Sequence, residues 1–149
     1  MSTSCKVLIA DKMSGEAETI LRERGIGVDV ITGMEPAALL ASIASYDGLL
    51  IRSSSTVTAD VLAAATRLKL IGRAGIGVDN VDVAAATARG VVVMNTPFGN
   101  AITTAEHAIA MMMALARQIA SADRSTRAGK WEKSRFVGME LAGKTLGLV

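Results

Sequence analysis

Apolar positions along the chain fall in short β-branched runs, separated by alanine-rich stretches with helical spacing. Val7-Leu8-Ile9 is a continuous apolar run, as expected of a strand covered on both faces. Ser14 is placed to cap the helix that follows, with Ile20 and Leu21 on its inner face and Gly25 as its stop. Val28 to Ile31 reads as a second strand, and Pro36 suits the first turn of a helix running to about Ala44. Gly48 to Ile51 is a third strand, and Thr58 caps a helix through Ala65. Leu70 and Ile71 form a fourth strand, Asp82 begins an alanine helix that ends at Gly90, and Val91 to Val93 make a fifth strand. Strands alternating with helices at this spacing predict an α/β fold: a flavodoxin-like, doubly wound parallel sheet with right-handed crossovers.

In such sheets ligands bind beyond the carboxyl ends of the strands. Asp11, Arg52-Ser53, Arg73 to Gly77 and Asn95 to Asn100 are therefore the positions to inspect. Beyond Gly99 the pattern changes, which divides the chain into segments 1–99 and 100–149. A long helix is expected from about Thr103 to Ala120. Its Met111-Met112-Met113 run leaves little of it polar, so it must be buried or packed on a partner. Ser121 to Phe136 reads as a polar, basic loop or short helix on the surface, and Thr145 to Val149 as a last strand with an exposed edge.

Composition narrows the class. Half of the 149 residues are apolar and 20% are charged, the profile of a soluble globular protein with one good core. A net charge of +2 and 3% aromatic residues argue against nucleic acid as a partner. The single cysteine, Cys5, excludes an internal disulfide and fits a reducing compartment. Residues 1–6 carry no apolar leader, and the longest apolar stretch, Ala108 to Ala116, is too short to span a bilayer. The expected location is the cytoplasm, with no membrane partner.

Three motifs invite chemistry. Gly138 to Thr145 matches the phosphate-loop spacing G-x-x-x-x-G-K-[ST], but a true phosphate loop follows a strand and opens a helix. Here a polar segment precedes it and a strand is expected after it, so a turn is the better reading. Arg73 to Asn80 carries Gly75-Ile76-Gly77 between a strand and a helix but lacks the third glycine of a dinucleotide fingerprint. It is either a loop letting a ligand approach backbone amides or a tight turn. Arg52-Ser53-Ser54-Ser55 ends the third strand with a guanidinium and small donors, suited to a carboxylate or phosphate, although Arg52 could equally pair with a surface acid. A second arginine, Arg73, at the neighbouring strand end tips the balance towards an anion site. His107, the only histidine, lies inside an Ala/Met-rich helix and reads as structural.

Together these residues resemble the D-2-hydroxyacid dehydrogenase family, most specifically its phosphoglycerate branch. The resemblance rests on Lys6 to Asp11, Gly48 to Ser53, Gly72 to Val83, Gly90 to Gly99, Ala105-Glu106-His107 with Leu115-Ala116-Arg117, Gly129 to Glu132, and Glu140 to Thr145. It implies that residues 1–99 are the substrate domain. The rest would be the first helix and first strand of an incomplete Rossmann domain, with the 103–120 helix building a homodimer or homotetramer. Arg52, Ser53 and the amides of Gly75, Ile76 and Gly77 would line the substrate's carboxylate and phosphate. Asn100 aligns with a substrate-contacting asparagine of related formate dehydrogenases. Ile76 and Thr104 would touch the nicotinamide side of NAD, and Lys133 and Arg135 would reach a neighbouring subunit's substrate phosphate. The implied reaction is NAD-dependent oxidation of 3-phosphoglycerate to 3-phosphohydroxypyruvate in serine biosynthesis. The family's cofactor fingerprint and its catalytic arginine, glutamate and histidine would follow Val149, so the chain by itself is expected not to transfer hydride.

Two other readings are weighed against this one. A receiver domain shares the fold but needs an acidic pair after its first strand and an aspartate ending its third. Here Asp11 has no acidic neighbour and Asp47 precedes the third strand. The more serious rival is a non-catalytic anion-binding or interaction module derived from the dehydrogenase front end.

Overall fold

The structure, a computed structural model, describes residues 5–148. Met1 to Ser4 and Val149, the last residue of the expected final strand, lie outside it. The chain forms two compact units that divide between Gly99 and Asn100.

The first unit is the doubly wound sheet. Five parallel strands, β1 (Lys6–Ile9), β2 (Gly27–Val30), β3 (Gly48–Ile51), β4 (Leu70–Arg73) and β5 (Val92–Asn95), lie in the order β2-β1-β3-β4-β5. The helices between them are α1 (Gly15–Glu23), α2 (Pro36–Ser42), α3 (Ala59–Ala64) and α4 (Val83–Ala88). The step from β1 to β2 runs opposite to the three later steps, so right-handed crossovers put α1 on one face and α2, α3 and α4 on the other. Three expected caps form: the side chains of Ser14, Thr58 and Asp82 accept from the amides of Glu16, Val61 and Ala85. Gly25 and Gly90, past the ends of α1 and α4, take positive φ, which glycine adopts without a Cβ penalty.

Period-two alternation assigns the strand side chains to faces. Leu8, Leu49, Ile51 and Ile71 are fully or almost fully buried with Leu39, Ile43, Val61, Leu62 and Ala86 of the helical layer. The register pairs Leu49 with Ile71 and Ile71 with Val93, so this core runs straight across the sheet. The alternate residues Leu50, Leu70, Val92 and Met94 face the α1 side, where Val92 and Met94 stay more than half exposed. Here the expectation for α1 needs correcting. Leu21 is half-buried as expected of an inner-face residue, but Ile20 is 46% exposed and no α1 residue is fully buried, because α1 alone cannot cover a face five strands wide. A depression of about 330 Å³ between Met13, Ala17, Leu50, Leu70 and Met94 marks the uncovered part.

At the sheet's β2 side a polar knot joins β1, β2 and the turn before β3. The buried Tyr46 donates its hydroxyl to Asp29 at 2.7 Å, and Lys6 pairs with the same carboxylate at 2.6 Å. Burial, then the hydrogen bond to Asp29, pushes the Tyr46 phenol up to about 12. A raised phenol favours the neutral folded form. Its contribution to stability is therefore complete below the ordinary value of 10.0 and is lost as pH rises from there through about 12. The expected result is a fall in unfolding free energy over that window that is shallower in Tyr46→Phe, checked by urea denaturation at a series of alkaline pH values. Parallel curves for the two proteins would rule this account out.

The second unit differs from its expectation in two ways. The long helix stops early: α5 is Ala101–Ala116, and Gln118, in left-handed backbone at φ 54°, breaks it from α6 (Ile119–Arg127). Of the two forms expected for the polar segment, the short helix is present through Arg127, followed by a 3₁₀ turn at Lys133–Phe136. The second correction is at the end, where residues 145–148 form no strand. A strand exists through hydrogen bonds to a neighbour, and no other strand is present in this unit among the described residues.

Candidate functional site

The carboxyl ends of β3 and β4 bring together the residues the sequence singled out in the first unit. Arg52 and Ser53 leave β3 exposed to solvent, and Gly75-Ile76-Gly77 leave β4 beside them. The two loops are physically joined. Ala74 N donates to Ile51 O at 2.8 Å. The Asn80 amide donates to the carbonyls of Arg52 at 2.7 Å and Ser55 at 2.6 Å. Asn95, at the end of β5, donates to Ile76 O at 2.7 Å. One Arg52 guanidinium nitrogen donates to Lys12 O at 3.1 Å, which aims the cation along the strand ends.

Several donors that looked available are committed inside the protein. The amides of Arg52, Ser54 and Ser55 and the Ser55 hydroxyl all turn inward onto the buried carboxylate of Asp11. The Gly75 amide turns back on Arg73 O at 2.9 Å. Among the described residues, the amides of Ile76 and Gly77 have no protein partner, and the Nε of Arg73 is buried without one. The Arg73 guanidinium lies over Gly75 so closely that a Cβ there would collide with it. The donors left for a ligand are therefore the exposed Arg52 cation, the half-buried Arg73, the Ser53 and Ser54 hydroxyls and the amides of Ser53, Ile76 and Gly77. That set matches an anion.

The electrostatics agree. Burial pushes the Asp11 carboxyl up, but the Ser55 hydroxyl and the amides of Arg52, Ser55 and Ser54 outweigh it and hold the group below the usual carboxylate range. Asp11 is thus a satisfied anion facing inward, while Arg52 is exposed, Arg73 is half-buried and the exposed Asp79 carboxylate lies beside Gly77. Asp47 lies before β3, where its carboxylate accepts from Lys6 N at 3.0 Å and pairs with Arg67 at 2.8 Å. It is a structural acid and not a phospho-acceptor.

The remaining singled-out residues belong to the second unit. Asn100 is the N-cap residue of α5, without a side-chain cap bond, and its carbonyl accepts from Thr104 N at 2.9 Å. Lys133 and Arg135 sit on the 3₁₀ turn. Arg135 pairs with Glu132 at 3.2 Å and lies 5.5 Å from the Phe136 ring centre, so its charge is already partly matched. His107 is exposed on α5. The phosphate-loop look-alike at 138–145 is followed by no helix, which removes the helix amides that such a loop needs. Sequence reasoning missed the roles of Asn80, Asn95 and Ser55. Nothing local marks them, because their partners lie 19 to 44 residues away.

A dinucleotide's pyrophosphate needs open amides at a helix start. The helix after Gly75-Ile76-Gly77 begins with its own carboxylate, Asp82, accepting from Ala85 N at 2.9 Å. The residues present therefore do not fit a pyrophosphate cradle. Ile76 offers only an exposed apolar side chain and Thr104 an exposed place in the first turn of α5. Among the described residues no group of three or more His, Cys, Asp or Glu could hold a metal ion, and no helix is long and apolar enough to cross a membrane.

A five-stranded parallel sheet with anion-suited donors beyond its β3 and β4 ends has the doubly wound α/β architecture, in which ligands bind at the strands' carboxyl edge. The pattern of the D-isomer specific 2-hydroxyacid dehydrogenase catalytic domain matches residues 7–141, and the chain belongs to that family of oxidoreductases. It is 52% identical over 144 residues to the D-3-phosphoglycerate dehydrogenase of Archaeoglobus fulgidus, covering 97% of this chain and 27% of that enzyme. The chain thus spans about a quarter of the length of that relative. Among solved structures it is similar to the TT0316 protein from Thermus thermophilus, with TM-score 0.82, 33% identity and coverage of 93% of this chain and 46% of that one. An acyclic imino acid reductase in complex with NADPH and D-Arg shares the fold at TM-score 0.82 and 23% identity, covering 91% and 45% of the two chains. Family membership removes the receiver-domain reading.

Proposed function

We propose that this chain is the N-terminal portion of an NAD-dependent D-3-phosphoglycerate dehydrogenase. In this reading residues 1–99 are the substrate domain, and residues 100–149 begin the NAD-binding domain. The supporting observation is the convergence at the β3 and β4 ends of two arginines, Ser53 and the partnerless amides of Ile76 and Gly77. The substrate, 3-phosphoglycerate, carries a carboxylate and a phosphate, and this set can receive one of them. Asn100, Lys133 and Arg135 complete the substrate contacts in the assembled enzyme, and Ile76 and Thr104 face the nicotinamide. The apolar residues Ile109, Met111, Met113 and Leu115, all exposed on α5, support a homo-oligomer through this helix. The protein works in the cytoplasm. In this reading the 149 residues by themselves are expected not to reduce NAD.

Titrating the chain with 3-phosphoglycerate while following backbone amide NMR signals tests this. Saturable shifts are expected at residues 52–54 and 75–77, with a dissociation constant in the millimolar range. Arg52→Ala should weaken binding roughly tenfold or more, since a hydrogen bond to a charged group contributes about 1.5–3 kcal/mol. If the strand-end amides stay put at saturating ligand, the substrate-domain reading is lost. NADH formation by the chain alone would overturn its inactivity.

A further inference from the structure

Asp11 ends up with no direct role in binding, yet it is the most heavily hydrogen-bonded carboxylate of the first unit. It follows β1 closely, is 3% exposed, and forms no ion pair among the described residues. A buried carboxylate without a counter-ion persists only where donors replace the lost water. Four do so: Arg52 N at 2.6 Å, Ser55 Oγ at 2.8 Å, Ser55 N at 3.1 Å and Ser54 N at 3.3 Å. They come from one loop, the loop that carries Arg52 and Ser53.

The geometry has a consequence for that loop. Three amides within four residues converge on one point, which is the arrangement of a backbone anion nest. Asp11 fills the nest from inside. With the N–H groups drawn inward, two loop carbonyls, of Arg52 and Ser55, are held from the other side by the Asn80 amide. Three of the loop's amides and two of its carbonyls are thereby fixed, and the side chains of Arg52 and Ser53 are left exposed to solvent.

We propose that Asp11 is a positioning residue for the anion site: its carboxylate occupies the 52–55 nest, so that the ligand is met by Arg52 and Ser53 instead of by the amides of Arg52, Ser54 and Ser55. This rests on the anion-site reading under Proposed function. Asparagine at this position keeps the size but replaces one acceptor oxygen with an N–H donor that faces other donors, so the nest opens and Arg52 loses its fixed aim.

The test compares wild type and Asp11→Asn in the same 3-phosphoglycerate titration. In the wild type the Arg52 amide proton, on a short bond to a carboxylate, should resonate far downfield. In the variant it should move upfield while the β1, β3 and β4 signals stay in place. The dissociation constant should rise roughly tenfold, as expected when fixed charge-assisted contacts are lost. Equal affinity in a folded Asp11→Asn protein would overturn the positioning role. Absence of binding in the wild type would instead overturn the anion site, and the positioning role with it. Should Asp11→Asn not fold, Ser55→Ala removes only the 2.8 Å hydroxyl bond. It should weaken binding about threefold with the sheet intact, and unchanged affinity there would sink the proposal equally.

Discussion

Leu49→Ala is expected to lower the stability of the first unit by about 2–5 kcal/mol, the usual range for truncating a fully buried leucine. Leu49 lies in a central strand, has no exposure, and pairs in register with Ile71, itself fully buried. The helical layer closes over it, so the cavity has little means of collapsing. Folded domains are stable by only about 5–15 kcal/mol, and this unit carries one sheet face that α1 does not cover. The loss should therefore be a large fraction of the total, read as a drop in the urea midpoint at unchanged slope. Leu40→Ala, on the exposed side of α2, should move the midpoint far less. A Leu49→Ala change below about 1 kcal/mol would show that the layer repacks freely.

Gly75→Ala is expected to separate binding from stability in the opposite sense. Gly75 does not use left-handed backbone, so alanine meets no conformational penalty there. What its Cβ would strike is the guanidinium end of Arg73, the far end of a flexible side chain that can swing away. The fold should survive with a small change in midpoint. The displaced guanidinium, half-buried beside the loop, is nonetheless one of the two cations of the proposed anion site. Affinity for 3-phosphoglycerate should then fall about tenfold, on the scale of one charge-assisted contact. The measurement is the same amide titration, with the unfolding midpoint recorded alongside. Retained affinity would remove Arg73 from the site. Gly138 offers the contrast, since it takes positive φ and a Cβ there would press on the backbone of Ala116 and Arg117, which cannot step aside.

Much of the candidate site was legible from strand ends alone. Parallel doubly wound sheets place ligands beyond their carboxyl edges, so locating β3 and β4 was enough to find Arg52, Ser53 and the Gly75–Gly77 loop. What could not be read was which donors remain free. Ser55 looked like a ligand hydroxyl and is an internal donor to Asp11. Gly75 looked like an open amide and is turned onto Arg73. Local sequence names the donors but not their partners, because the partners arrive from other strands.

The same division holds for the whole chain. Five β-branched runs, their intervening helices, the caps at Ser14, Thr58 and Asp82, and the strand order's class follow from periodicity and local chemistry, which act over a few residues. The sequence also carried the family, through motifs in fixed order. Only the tertiary structure decided that α1 leaves its sheet face partly open, that Gln118 breaks the long helix, and that residues 145–148 stay unpaired. Each of those depends on what packs or pairs with a segment, and a lone strand or a helix with one apolar stripe has no structure of its own until a neighbour satisfies it.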